Sequence, residues 1–357
     1  MKLPLTRGPV TYSLWPDLLS YPADRQLTTT AESVRSALTA SEDILYDEDL
    51  QLALFCLYEL HYSGVNGVDE RWEWDPALLA VRHRIESAFE ARLRRGAEEL
   101  YGPMQEMPRS AQQMASRLFE MSAGHRGPSV VDHIDREATE DQVREALVHQ
   151  SVHQLREADP QTWAIPRLHG RAKSALVEIQ VDGYAGGRPG RMYAELFAAA
   201  MTGLGLKTGF GDYLDRVPAL SLAAANTMSL FGLHRRLRGA VAGHLAFHEM
   251  ASPRTHAASA RGLRRLGFTA AVTEYFDAHV THGAAHEQIA GCELAGRMVE
   301  EDPALADDVW FGAASAGLVD RLLGRWQLEA WHAGRSSLRT SPSAASVPRG
   351  EQVAAYP

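Results

Sequence analysis

The run Tyr275-Phe276-Asp277-Ala278-His279-Val280-Thr281-His282-Gly283-Ala284-Ala285-His286-Glu287 reads as the interior of a helix. At about 100° per residue, His279, His282 and His286 fall within an arc of roughly 60°. Three imidazoles on one stripe can converge on a point, where they would hold a metal, since neutral imidazole is the commonest metal ligand. A polar seam between helices, each ring hydrogen-bonded to a neighbour, explains the stripe about as well.

Working outward, the same helical period recurs. Asp47 to Tyr62 carries Leu50, Leu54, Leu57 and Leu60 and predicts a buried helix ended by Gly64. Glu59 and His61 within it read as a hydrogen-bonded polar pair. Asp75-Pro76 supplies an N-cap and a first-turn proline for a helix to about Arg95. A short helix is predicted near 111–121 in an otherwise less regular stretch from 101 to 135. Thr139-Glu140-Asp141-Gln142 is a capping box, and the helix it opens is expected to run to Ala158 and stop at Asp159-Pro160. His149, His153 and Glu157, spaced by four, would then share a face and form either a ligand set or an interhelical polar stripe. The Gly-rich run 183–190 follows no strand and lacks Gly-Lys-Ser/Thr, so it is no phosphate loop. Helices are further predicted over 170–181, 191–204 and from Pro218. In 237–250 Gly239 and Gly243 signal close helix packing, with His244, His248 and Glu249 near the end. Ser252-Pro253 marks a fresh start, the His-rich helix continues to about Val299, and Asp302-Pro303 opens a last helix to Trp331. The first 30 residues, broken by Pro4, Pro9, Pro16 and Pro22, read as irregular. Nothing alternates with period two between hairpin turns, so the chain reads as all-α, a bundle with a polar site between facing helices.

The 357 residues suit one large helical domain with an extension, and 45% hydrophobic residues suffice for a sizeable core. A net charge of −9 without a basic tract argues against a nucleic-acid surface. No apolar run approaches the length of a membrane span. Two cysteines, Cys56 and Cys292, give no disulfide framework, and the N-terminus lacks the apolar run of a signal peptide, so a cytoplasmic location is expected.

Three blocks carry a family resemblance: Leu155-Arg156-Glu157-Ala158-Asp159-Pro160 with Trp163-Ala164-Ile165-Pro166-Arg167-Leu168 and Glu178-Ile179-Gln180; Ser229 to Gly239; and Val272 to His286. From about residue 45 to 330 the chain resembles the haem-oxygenase-like iron-containing redox enzymes. The resemblance implies a haem-oxygenase-like helical bundle of about seven core helices. Residues 1–135 would be an N-terminal helical extension packed on a core at 136–332, with a disordered tail at 333–357. It also implies a di-iron oxidase or oxygenase acting on small molecules, with ligands at positions that match Glu157, Gly183, Tyr193, His279, Gly283 and His286. Three of these keep a metal-binding side chain, namely Glu157, His279 and His286. Glycine cannot coordinate, and a neutral phenol is a poor substitute for imidazole.

Two readings of the site follow. Glu157, His279 and His286 form a two-His-one-carboxylate set for one iron or other divalent metal, with His282 or His153 as an extra ligand. Alternatively no metal binds, and His282, Tyr193 and His153 are the groups that move protons in a polar pocket. For the whole chain the expectation is an enzyme acting on a small natural-product intermediate, as a homodimer or paired with a relative. The competing expectation is a non-catalytic subunit that binds a small molecule or an active relative.

Overall fold

Residues 1–21, 27–124 and 129–340 are described by a computed structural model. They form helices and contain no strand, as the missing period-two pattern requires. The N-terminal part supplies α1 (Pro9–Leu18), α2 (Thr28–Ala40), α3 (Glu48–Glu59), α4 (Pro76–Tyr101), α5 (Ala111–Ala123) and α6 (Val130–Arg136). The remainder supplies α7 (Glu140–Gln154), α8 (Asp159–Thr162), α9 (Gly170–Gly183), α10 (Tyr193–Gly203), α11 (Ala219–Leu233), α12 (Arg238–Arg265), α13 (Ala270–Gln288), α14 (Arg297–Glu301) and α15 (Ala306–His332). A π-helical stretch, Ile289–Gly296, joins α13 to α14. No described helix is long and apolar enough to cross a membrane.

Local signals place several ends where the sequence puts them. Asp75 Oδ1 accepts from the amides of Ala77 and Leu78 at the start of α4. The capping box of α7 is closed in both directions, Gln142 N to Thr139 Oγ1 at 3.3 Å and Thr139 N to Gln142 Oε1 at 3.0 Å. Gly239 and Gly243 do mediate close packing: a Cβ at Gly243 would lie 1.8 Å from the Val309 carbonyl oxygen on α15.

Four expectations need correction. The first 30 residues are not irregular throughout, because α1 forms from Pro9. A proline in the first turn needs no N–H partner, and the next two amides, of Val10 and Thr11, donate to Asp49 of α3 at 2.7 and 3.0 Å. Pro22 lies outside the described residues. Next, α7 stops at Gln154, and Asp159-Pro160 opens α8 instead of closing α7. Residues 155–158 turn, with Asp159 N donating to the Arg156 carbonyl at 3.1 Å. His149, His153 and Glu157 therefore do not lie on one helical stripe. Third, α12 runs unbroken through Pro253. The facing residue on α13 is Gly283, where a Cβ would lie 2.6 Å from Pro253 Cγ, so the ring occupies the space a side chain there would need. Finally, the tail is not free from residue 333 onward. Ser337 is buried, its hydroxyl 2.6 Å from Glu145 Oε2 and 2.9 Å from His149 Nε2. Residues 341–357 lie outside the described part.

Among the described residues burial separates two large apolar clusters, beside a small one of Ala111, Ala115 and Cys292. The larger runs from α1, α3 and α4 (Leu14, Leu54, Phe89) to α11, α12 and α15 (Phe231, Phe247, Phe311). Residues before 136 thus share a core with the later helices. The smaller gathers Leu147, Phe197, Tyr275 and Phe276 from α7, α10 and α13.

Candidate functional site

A cavity of about 540 Å³ is lined by residues of both clusters and by α7, the 155–158 turn, α9, α10, α12, α13 and α15. Its size falls in the range of small-molecule sites.

The turn after α7 sets the first functional group. Arg156 reaches Glu59 of α3, its Nη2 2.8 Å from Glu59 Oε1 with both groups largely shielded from water, and its guanidinium stacks on Phe210. The neighbouring Glu157 faces the cavity. Its Oε1 lies 3.0 Å from His279 Nε2, and its Oε2 accepts from the Tyr275 hydroxyl at 3.3 Å. His279 Nδ1 is 2.9 Å from the Tyr275 carbonyl, which can only accept, so Nδ1 carries a proton. With a carboxylate at the other nitrogen, Nε2 donates too and the ring is an imidazolium. Burial opposes this charge, but Glu157 outweighs it and raises the His279 pKa. Burial likewise works against the Glu157 carboxylate, and His279 brings its pKa below the ordinary value. His256 stacks flat on His279, centroids 4.2 Å apart and planes at 9°. Burial, and then the His279 charge, lower His256 to about 3, so it stays neutral.

His286 belongs to a separate pair of contacts. Its Nε2 is 2.9 Å from Asp182 Oδ2 and its Nδ1 3.3 Å from Glu249 Oε2. Burial disfavours its charge, yet Glu249 and then Asp182 raise its pKa to about 9.

The third feature is Tyr193 with His282. The Tyr193 ring packs 4.1 Å from that of His279, and its hydroxyl lies 2.6 Å from His282 Nδ1. Burial, followed by Glu157, Glu249 and Asp182, pushes the phenol pKa far up, so Tyr193 keeps its proton and donates it to His282. Tyr193 is buried against the cavity while His282 is half-exposed.

The stripe on α13 therefore exists, but each ring has a different partner. Glu157 meets His279, His286 is held by Asp182 and Glu249, and His282 is joined to Tyr193. Among the described residues no three His, Cys, Asp or Glu side chains are grouped so as to hold a metal ion. His153 lines the cavity near His244 and His248, whereas His149 is fixed between Ser221 and Ser337. Glu59 and His61 do not form the expected pair, since Glu59 meets Arg156 and His61, beyond the end of α3, lies between Glu73 and Arg82. Sequence reasoning did not assign Asp182, Glu249, Tyr275 or His256 to the site. Glu249 and Asp182 were visible as acidic residues beside flagged positions, His248 and Gly183. Nothing in the spacing marked Tyr275 or His256, whose roles arise only when α12 and α13 pack together.

Residues 144–320 match the model of a family described as iron-containing redox enzymes. No curated protein matches the chain.

Proposed function

We propose, from the premise that residues 144–320 make this chain a member of the iron-containing redox enzyme family, that it binds a small organic molecule in the 540 Å³ cavity and moves protons on it. The observation that carries this reading is Tyr193, which lines the cavity and whose hydroxyl lies 2.6 Å from a histidine that reaches solvent.

The side chains do not fit the iron pair that the resemblance implies. Glycine stands at two of the positions matched to its ligands, and at Gly283 the Pro253 ring fills the space a carboxylate would need. His279 and His286 are each engaged by carboxylates in separate groups. Tyr193, at the third altered position, keeps its proton and serves as a donor.

The chemistry that this set supports is proton transfer next to a carbonyl. Glu157 takes a proton from carbon as Tyr193 gives one to the carbonyl oxygen, leaving an enol and a phenolate. His282 accepts at Nδ1, so it takes up a solvent proton there before it restores the Tyr193 proton, and Glu157 gives its proton up to solvent, which returns both groups to their starting state. General acid–base catalysis of this type contributes roughly 10²–10⁴-fold. A direct assay follows α-deuteration of 2-octanone in D₂O by NMR. Wild type is expected to exchange the probe faster than buffer, with Tyr193→Phe and His282→Gln slower by roughly 10²-fold or more. Equal exchange in wild type and Tyr193→Phe would overturn the relay.

A second reading, a binding protein without chemistry, is favoured by the same Gly283–Pro253 contact, which removes a family position without replacing it. Probe binding with no exchange above buffer would select it.

A further inference from the structure

The α15 side of the cavity holds groups that the proton relay does not use. His244 and His248 lie edge to face at 4.6 Å, and His153 is close enough to couple electrostatically to both. His248 Nδ1 is 3.7 Å from Asp320 Oδ2, and the Asp320 side chain is 47% exposed, so this side of the cavity reaches solvent. Gln327 lies two turns further along α15 and also lines the cavity. Three buried atoms here, His153 Nδ1, Gln154 Oε1 and Gln327 Oε1, have no hydrogen-bond partner among the described residues. Buried polar atoms in folded proteins are nearly always paired, so three beside one cavity point to a ligand.

The chemistry of these groups selects the ligand. Two amide oxygens and a carboxylate can only accept. Burial holds His153 neutral, its pKa lowered to about 4, so the ring has a free lone pair. Among the described residues the cationic side chains along the cavity wall are paired with carboxylates, Arg156 with Glu59, His279 with Glu157 and Arg254 with Asp132 at 3.6 Å. An anionic head group would find no free cation here, and an alcohol brings one proton to several acceptors. A primary ammonium brings three. Ile134, Leu147, Leu245 and Val319 supply an apolar wall for the rest of the molecule.

We infer that this part of the cavity seats the protonated amino group of an aliphatic primary amine, with Asp320, Gln327 and His153 as its acceptors. The inference rests on the reading of the cavity as a small-molecule site and names the class of molecule.

Calorimetric titration of the full chain near neutral pH tests it with three probes of one chain length: n-octylamine, 1-octanol and octanoate. Octylamine is expected to bind at least tenfold tighter than octanol, with octanoate weakest. Asp320→Asn and Gln327→Leu should each weaken octylamine at least tenfold and leave octanol within twofold. The octanol arm shows that the variants still fold and keep the cavity. Equal binding of octylamine and octanol, or octylamine binding indifferent to both variants, overturns the ammonium seat and leaves the cavity reading standing. Failure of every probe overturns both. Octylamine binding as expected, beside a failed deuteration assay, overturns the relay alone.

Discussion

At Tyr193 the distance and the direction of the pKa shift agree on where the proton sits. A buried phenol whose pKa is pushed far up donates to His282 Nδ1 over 2.6 Å, so His282 carries its own proton on Nε2. Nitrogen-15 NMR of the histidines should show the Nε2–H tautomer in wild type and a mixture in Tyr193→Phe; an unchanged spectrum would contradict the contact. His286 offers a second check. Its pKa of about 9 lies above the unfolded value of about 6.5. The contribution of its charge to stability is therefore complete below pH ~6.5 and disappears as the pH rises through about 9. A carbon-13 titration should give the high value in wild type and move it back toward the ordinary value in Glu249→Gln. A wild-type titration near the ordinary value would contradict the double carboxylate contact.

At the scale of helices, close approaches decide what the chain tolerates. Gly283→Asp forces a side chain onto Pro253 Cγ, 2.6 Å from the Cβ position, and overpacking of this kind costs about 1–3 kcal/mol. Urea unfolding should show that loss, with most of it recovered when Pro253→Ala is added; no recovery would place the cost elsewhere. These contacts also explain what could be read in advance. Caps and first-turn prolines are local, so the ends at Thr139 and Asp75 were legible, as was the small-residue spacing of Gly239 and Gly243. The cap of α1 was not, because Asp49 supplies it from another helix. Pro253 looked like a helix start because the residue that accommodates it, Gly283, is 30 positions further along the chain. For the site, periodicity put His279, His282 and His286 on one stripe correctly. Periodicity on α13 cannot say which partner each ring meets, and those partners come from the 155–158 turn, α9, α10 and α12.

Across the whole molecule, buried neutral histidines set the acid limit. His149 and His153 are lowered to about 4 and His256 to about 3, and His244 is lowered as well, all chiefly by burial. The unfolded chain binds protons at these positions below pH ~6.5 whereas the folded chain resists until about 4, so stability falls as the pH drops through that window. The urea midpoint should decrease from pH ~7 to ~5, and His149→Gln should flatten the decrease; a midpoint indifferent to pH would contradict the burial. The Glu59–Arg156 pair ties the N-terminal helices to the turn that presents Glu157. Removing one partner of a buried ion pair costs about 3–5 kcal/mol, so Glu59→Ala should lower stability by that order and disturb His279 as well. The most direct measurement of the central claim, a family member that has given up its iron pair for proton chemistry, is metal content. Protein loaded anaerobically with Fe(II) and desalted would be measured by plasma mass spectrometry beside a Gly183→Glu, Tyr193→His, Gly283→Asp, Pro253→Ala variant. Wild type is expected to retain far less than one iron per chain, and the variant to retain more. Near-stoichiometric iron in wild type, lost in a Glu157→Ala, His279→Ala double variant, would contradict the claim.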